Sequence, residues 1–359
     1  MSNITVNCKE LRALLDRTPS SHNIMLVGKH GIGKSEILTN YYSSKGMKVV
    51  ALFLGQMSDP GDIIGLPNKN EKNGKTEFMP PYWFPIGEEP ICLFLDELNR
   101  ARPEILQTVM DLCLNRTLAG RPLPKGSMLI AAVNQGEQYQ LTDLDPALVS
   151  RFNIVNFKPT VEEWLLWADN NKIDSRVISF INENKVWLDK EPDSIDDADT
   201  GLEKTPDRRA WKRVSDIIQG RDALDEMDNK IISSIVGPRA ASAFVHNLAS
   251  RKLLSAEEVL SDFARHKDAL NNYELHEVSV VTENLYRMLE VQKVSPQKVR
   301  LYADNLENYF FHLTKHNKES AAHFASIFAN NTYPKAIAFM SINSPILVNA
   351  MVSYIKGLK

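Results

Sequence analysis

The sequence contains few cysteines, no long apolar run and no excess of positive charge. Its 359 residues include three cysteines, Cys8, Cys92 and Cys113, and none belongs to a C-x-x-C pair. A low and odd number of cysteines favours a reducing compartment. Cysteines in apolar segments then act as small buried hydrophobes. No stretch approaches the roughly 18 apolar residues of a membrane span, and residues 1–28 carry charges where a secretory signal is apolar. We therefore expect a cytoplasmic protein.

The charge balance bears on possible partners. Lys and Arg number 42 and Asp and Glu number 45, for a formal net charge of -3. Dedicated nucleic-acid binders usually show a basic excess, so this composition disfavours DNA or RNA as the main partner. The chain length and a hydrophobic content of 43% allow two domains with ordinary cores.

The N-terminal part of the chain alternates short apolar runs with helical patterns. This alternation is typical of a parallel sheet flanked by helices, and runs that are apolar throughout fit strands buried on both faces. We predict an α/β domain over residues 1–188 with a five-stranded parallel sheet. The strands are predicted at 24–28, 49–54, 91–95, 128–133 and 154–157.

Other segments differ from this alternating pattern. Residues 57–86, rich in Gly, Pro, Asp and Asn, are too long for a plain connection between strands and predict an inserted functional element. The acidic stretch 189–205 is typical of a solvated linker, with a flexible regulatory segment as the alternative. The pattern over 206–359 is helical throughout, which predicts an all-α lid followed by a C-terminal helical region.

A glycine-rich run follows the first predicted strand. GKHGIGKS at 28–35 matches the pattern G-x-x-x-x-G-K-[ST]. Glycines let backbone N–H groups surround phosphate oxygens, and the helix that follows adds its positive dipole end. Lys34 is predicted to reach the β- and γ-phosphates and Ser35 to ligate Mg²⁺, the alternative being a glycine turn without a ligand. The predicted nucleotide-binding residues are Gly28, Lys29, His30, Gly31, Ile32, Gly33, Lys34, Ser35 and Glu36.

Polar side chains end two other predicted strands. Asp96 and Glu97 follow an apolar run, which brings them to the carboxyl edge of the sheet, where open α/β folds bind ligands. Asp96 is predicted to hold Mg²⁺, and Glu97 to orient and polarise the attacking water. Asn134 is predicted to hydrogen-bond the γ-phosphate or the water. Each signal alone is also typical of a turn.

In combination these motifs resemble the MoxR-type AAA+ ATPases, which belong to the clade with a helix-2 insert. The resemblance covers roughly residues 5–250 and is carried by GKHGIGKS at 28–35, LDELNRA at 95–101, AVN at 132–134 and LDPALVSRF at 144–152. It implies Walker A and Walker B motifs, Asn134 as sensor 1, and Arg151 as an arginine finger that reaches a neighbouring subunit's nucleotide. It also implies that the insert at 57–86 and a hairpin at 116–124 face the central pore or the substrate.

A possible sensor 2 motif begins the helical region. TPDRRAW at 205–211 resembles the family's Ser/Thr-Pro-Arg, although Asp207 intervenes and two arginines compete. Helical neighbours lie about 100° apart, so only one of the two can face the phosphates. The spacing to Trp211 favours Arg209 over Arg208, with a solvated basic helix start as the alternative.

The resemblance implies ATP and Mg²⁺ as cofactors and a homo-oligomeric ring, a hexamer, that acts as a chaperone on a protein partner. Partners with a von Willebrand factor A-type domain are expected on the same ground. One alternative is an ATP-driven nucleic-acid motor, since related AAA+ proteins with a Ser-Arg-Phe finger motif move DNA. Another is a nucleotide-dependent switch with little hydrolysis, which Glu97 argues against because a switch needs no carboxylate that activates water.

Overall fold

A computed structural model of the chain describes residues 4–134, 144–190, 204–221, 223–249 and 253–357. It divides into two compact units, Met1–Glu163 and Trp164–Lys359, which are described one at a time. The predicted α/β domain, 1–188, extends past this division. The predicted linker at 189–205 lies largely outside the described residues. These domain limits stay predictions.

A parallel sheet forms the centre of the first unit. Its strands are β1 (Thr5–Val6), β2 (Asn23–Gly28), β3 (Lys48–Phe53), β6 (Ile91–Asp96), β9 (Met128–Asn134) and β10 (Phe152–Phe157). They lie in the order β1-β10-β2-β9-β6-β3. All five predicted strands are present and the predicted α/β fold class is confirmed. The sixth strand, β1, pairs with Asn156 and Phe157 at the sheet edge and is too short to leave a pattern in the sequence.

Helices cover both faces of this sheet. The helices of the first unit are α1 (Cys8–Arg17), α2 (Lys34–Ser44), α3 (Gly61–Ile64), α4 (Pro103–Asn115) and α5 (Pro146–Val149). Side chains alternate between the two faces along a strand. On β2, Ile24 and Leu26 therefore join the core that α1 and α2 cover, whereas Met25 and Val27 join the core that includes α4. This double coverage explains why β2 and β6 are buried at every position.

Two of the three cysteines belong to these cores. Cys92 and Cys113 are buried, and burial raises the pKa of each thiol to about 12. Cys8 is partly buried and packs against the core on the α1 side. The interpretation of Cys92 and Cys113 as small buried hydrophobes is confirmed.

Two short antiparallel ladders lie outside the main sheet. β4 (Leu66–Lys69) pairs with β5 (Thr76–Met79), and both lie in the segment predicted as an insert, 57–86. β7 (Thr117–Leu118) pairs with β8 (Arg121–Pro122), within the predicted hairpin 116–124. The exposed large apolar side chains of the first ladder and the chain after it are Leu66, Met79, Tyr82 and Ile86.

The second unit is helical in the part that the structure describes, which confirms the predicted C-terminal helical region. Its helices begin with α6 (Val161–Asn170), which spans the division between the units. The others are α7 (Ser175–Glu183), α8 (Arg208–Ile218), α9 (Glu226–Val236), α10 (Pro238–Ala249), α11 (Ala256–Ser261), α12 (Phe263–Leu270), α13 (Leu275–Val291), α14 (Val299–His316), α15 (Lys318–Asn330), α16 (Pro334–Asn343) and α17 (Pro345–Gly357).

Buried aromatic side chains hold these helices together. Trp211 of α8 packs against Phe180 and Phe244, with ring centroids 5.2 and 5.7 Å away. Tyr286 and Phe324 belong to a second apolar cluster built from α11 to α17. Among the described residues, no single helix is long and apolar enough to cross a membrane. Together α16 and α17 have the length and composition, but the pair bends by 114°.

Candidate nucleotide site

The glycine-rich loop connects β2 to α2 at the carboxyl edge of the sheet. Gly33 precedes α2 with φ 92°, a left-handed conformation that favours glycine. Gly28 is needed for another reason, since a Cβ there would lie 2.7 Å from the carbonyl oxygen of Phe157 on β10. The first N–H groups of α2 have no partner within the helix and lie at its positive end. The loop is therefore a site for an anion such as a phosphate chain.

Lys34 places its ammonium group beneath this loop. The side chain is buried, and Nζ donates to the carbonyl oxygens of Gly28 (2.9 Å) and Lys29 (2.8 Å) and to Asn134 Oδ1 (2.8 Å). Burial lowers the pKa of Lys34 to about 8, and the charges of Asp96 and Glu97 partly offset this effect. Because the ammonium group is buried, little water screens its charge from an incoming anion.

Ser35 and Asp96 form a pair of oxygen ligands next to Lys34. The Ser35 hydroxyl donates to Asp96 Oδ2 at 2.8 Å, and Asp96, the last residue of β6, is buried. The other carboxylate oxygen, Oδ1, accepts the backbone N–H of Glu97 at 2.9 Å. Mg²⁺ in nucleotide sites is held by one or two protein oxygens, with water and phosphate completing its shell. The pair fits this donor set.

Glu97 begins the turn after β6 with φ 55°, so its backbone is left-handed. Its Oε1 accepts from Arg100 Nη1 at 2.8 Å, and Asn134 Nδ2 makes a longer contact of 3.4 Å with the same oxygen. Asn134 thus contacts Lys34 through its amide oxygen and Glu97 through its amide nitrogen. Five predicted site residues from three strand ends converge here: Lys34, Ser35, Asp96, Glu97 and Asn134.

Two further residues of the same turn take part, and the sequence reasoning missed them. Asn99 is buried and donates its amide to the carbonyl oxygen of Asn134 (2.9 Å), whose N–H donates to Asn99 Oδ1 (3.3 Å). Arg100 is the ion-pair partner of Glu97. Both lie within LDELNRA at 95–101, but the residues after a strand end are also typical of a turn.

The remaining predicted loop residues vary in exposure. Lys29, His30 and Glu36 are exposed, whereas Gly31 and Ile32 are partly buried. Ile32 packs against the apolar core that α1 and α2 cover. The exposed side chains of this set flank the buried Lys34.

Arg151 lies apart from the five converging residues. It follows α5, whose N-cap Asp145 accepts the backbone N–H of Ala147 at 2.7 Å, and it immediately precedes β10. Its side chain is exposed, and within the described residues no hydrogen bond or ion pair joins it to the converging set. The structure thus places Arg151 at the surface of the first unit.

The two arginines of the possible sensor 2 motif lie on different faces of α8. Arg208 is buried on the side of Trp211 and pairs with Asp189, with Nη2 and Oδ2 3.0 Å apart. Arg209 is exposed. Because Arg208 is held by Asp189, Arg209 stays our prediction for the arginine that faces a nucleotide.

Replacing each arginine with alanine should separate these roles. Arg209→Ala is expected to lower kcat by about 10- to 100-fold, because it removes one charge-assisted hydrogen bond from the transition state. Arg208→Ala is expected to lower the free energy of unfolding by about 1–3 kcal/mol, with a smaller effect on kcat. Steady-state kinetics and thermal unfolding of both variants test this, and a larger kcat loss in Arg208→Ala would reverse the assignment.

A comparison with family models matches residues 23–152 to the AAA domain of the dynein-related subfamily. The matched region contains the glycine-rich loop, both strand-end carboxylates, Asn134 and Arg151. It is less than half of the chain, so the match classifies this region and not the whole protein.

One similar protein is BssE of Thauera aromatica, which is described as a candidate chaperone. It is 28% identical over 142 residues, which are 37% of this chain and 49% of BssE. The matched part of the chain therefore spans about half the length of that relative.

Several solved structures show distant likenesses. A candidate ATPase from Cytophaga hutchinsonii has 13% identity over 82% of this chain and 79% of that chain, with a TM-score of 0.32. Brucella abortus NtrX in complex with ADP has 13% identity over 78% of this chain and 62% of that chain, with a TM-score of 0.37. RuvB, the Holliday junction branch migration motor of Thermotoga maritima, has 15% identity over 81% of this chain and 89% of that chain, with a TM-score of 0.35. TM-scores this low carry no argument about function.

The family match supports an AAA+ ATPase. It covers the strands and loops that converge on Lys34, Asp96 and Asn134. The first unit has the α/β P-loop fold that the motifs predicted.

Proposed function

We propose that the chain is a Mg²⁺-dependent ATPase of the MoxR type that assembles into a homo-oligomeric ring, a hexamer, and remodels a protein partner. One observation carries the catalytic part of the proposal. A buried lysine, a serine–aspartate pair, and a glutamate in contact with an asparagine meet at one edge of the sheet. Phosphoryl transfer requires these functions together, because its catalysis consists mainly of positioning and charge stabilisation.

Each residue then has a defined task toward ATP. The loop N–H groups and Lys34 would bind the phosphates, and Ser35 and Asp96 would hold the metal ion. Mg²⁺, when bound, neutralises charge that develops on the phosphate oxygens. Glu97 orients a water molecule and accepts its proton as the water attacks. Asn134, which contacts both Lys34 and Glu97, links phosphate binding to the position of the carboxylate.

The ring and the protein partner rest on other observations. Arg151 is exposed at the surface of the first unit, as an arginine finger acting on a neighbouring subunit would require. Tyr82 is 95% exposed and Ile86 98% exposed, and such apolar side chains at the surface favour contact with another protein. The chaperone description of BssE points the same way, and a partner with a von Willebrand factor A-type domain is proposed on the MoxR resemblance.

Phosphate release measured with Mg²⁺ and with excess EDTA tests the catalytic proposal. Wild-type protein is expected to hydrolyse ATP only with Mg²⁺. Lys34→Ala should weaken ATP binding by about 30-fold or more, because removal of a buried charged donor costs at least about 2 kcal/mol. Lys48→Ala removes an exposed lysine at the start of β3, at the opposite edge of the sheet from the loop, and is the matched control.

Three outcomes would contradict the proposal. If wild-type protein shows no Mg²⁺-dependent turnover, the proposed ATPase activity is wrong. If Lys34→Ala binds ATP with wild-type affinity, the assignment of residues 28–35 as the phosphate-binding loop is wrong. Duplex DNA added to the same assay distinguishes the partner class. Turnover is expected to stay unchanged, and a strong, salt-sensitive stimulation by DNA would favour a nucleic-acid motor instead.

A further inference from the structure

We propose that Arg100 is a positioning residue that holds the Glu97 carboxylate in the orientation needed for hydrolysis. This inference rests on the proposed ATPase function and deepens it. Arg100 does not belong to the glycine-rich loop or to the strand ends, and neither the motifs nor the family match assigns it a role.

The contacts of Glu97 divide its two carboxylate oxygens. Oε1 accepts from Arg100 Nη1 at 2.8 Å and lies 3.4 Å from Asn134 Nδ2. Oε2 is on the side of Gly55, where a Cβ would lie 3.0 Å from it. Arg100 therefore anchors one oxygen, so that the other can accept a proton from water. The pair is partly shielded from solvent, with side-chain exposures of 27% for Arg100 and 17% for Glu97.

The turn that carries Arg100 is itself anchored. The Arg100 N–H donates to the carbonyl oxygen of Glu97 at 2.8 Å and closes the turn. Leu98 is fully buried, and Asn99 exchanges two hydrogen bonds with the backbone of Asn134. Since the middle of the turn is buried and hydrogen-bonded to β9, the guanidinium approaches Glu97 from a fixed direction. A left-handed residue such as Glu97 costs roughly 1–2 kcal/mol and persists only where its surroundings enforce it.

Gly55 provides the space for this pair. A Cβ on Gly55 would lie 3.1 Å from the Cβ of Arg100 as well as 3.0 Å from Glu97 Oε2. Gly55 does not have a positive φ, so alanine there crowds the side chains without straining the backbone. The turn after β3 thus offers a second way to disturb the pair without changing either partner.

Arg100→Met is expected to lower kcat by about 10- to 100-fold while the KM for ATP changes less than about twofold. Displacing a catalytic group by about 1 Å costs up to about 100-fold, whereas ATP binding depends on Lys34 and Ser35. Arg100→Lys retains the charge and should recover part of kcat. Arg102→Met removes an exposed arginine two residues away, with the same change in net charge, and should behave as wild type.

The Glu97→Gln background shows whether Arg100 acts through Glu97. The double variant Arg100→Met/Glu97→Gln should hydrolyse ATP at the rate of Glu97→Gln within about twofold, because the group that Arg100 positions is already lost. Gly55→Ala should lower kcat with little change in KM, and it remains informative if Arg100→Met does not fold. Thermal unfolding of every variant checks that the fold is retained.

Several results would overturn the inference. Arg100→Met with wild-type kcat, or with kcat raised, would show that the pair does not support hydrolysis. A further full loss in the double variant would show that Arg100 acts independently of Glu97. Failure of the proposed function looks different, because wild-type protein would then show no Mg²⁺-dependent turnover or Glu97→Gln would retain it.

Discussion

Glu97→Gln is expected to reduce ATP turnover by about 10²- to 10⁴-fold while ATP affinity stays within a few-fold of wild type. The magnitude is that of a lost general base. Glutamine has the shape of glutamate but cannot accept a proton from the attacking water. Phosphate binding depends instead on the loop and on Lys34, which has three oxygen partners of its own. Single-turnover hydrolysis and equilibrium binding of ATP, measured on the same preparation, check both halves of the prediction.

Glu104→Gln is the matched control for this variant. Glu104 is an exposed carboxylate in the first turn of α4, seven positions after Glu97 in the sequence, so the change in net charge is the same. Its turnover should equal that of wild type. If Glu97→Gln instead loses ATP binding together with turnover, Glu97 serves the structure of the site rather than the chemistry.

The strands were predictable because burial on both faces removes the need for polar residues. β2 and β6 are apolar along nearly their whole length and end in Gly28 and Asp96, which are predicted site residues. In a parallel sheet all strands end at one edge, so Asp96 and Asn134 were expected at the same site as the glycine-rich loop. The position of each strand along the chain and the parallel direction of the strands suffice for this expectation, and both can be inferred from the sequence.

The contacts within the site were less predictable, because they depend on side-chain direction. The sequence indicates that Asn99 and Arg100 follow a strand, but it shows neither the left-handed backbone of Glu97 nor the ion pair between Arg100 and the Glu97 carboxylate. The edge strand β1 was missed because two residues leave no periodic signal. In α8, Arg208 and Trp211 share the buried face, because residues three apart are helical neighbours. Only the structure shows that Asp189 is the ion-pair partner of Arg208.

Arg151→Ala is expected to bind ATP nearly as wild type and to hydrolyse it about 10³- to 10⁵-fold more slowly. An arginine that reaches the transition state from a neighbouring subunit has an effect of this size. If Arg151 instead made only a surface ion pair, its contribution would be about 0–1 kcal/mol. The arginine-finger and ion-pair interpretations therefore predict turnover rates that differ by orders of magnitude. Lys158→Ala, which removes an exposed cation after β10, is the control. Turnover, ATP binding and assembly state are measured for both variants.

Mixing Arg151→Ala subunits with Lys34→Ala subunits tests whether the arginine acts in trans. Neither variant hydrolyses ATP well alone, but an Arg151→Ala subunit has an intact loop and a Lys34→Ala subunit has an intact arginine. In a ring each interface is head-to-tail, so random 1:1 mixing places the two intact parts together at about one interface in four. Activity should therefore recover to about a quarter of wild type if interfaces act independently, and less if they must act together. No recovery from subunits shown to co-assemble, or near-normal turnover by Arg151→Ala alone, would exclude a role for Arg151 across the interface.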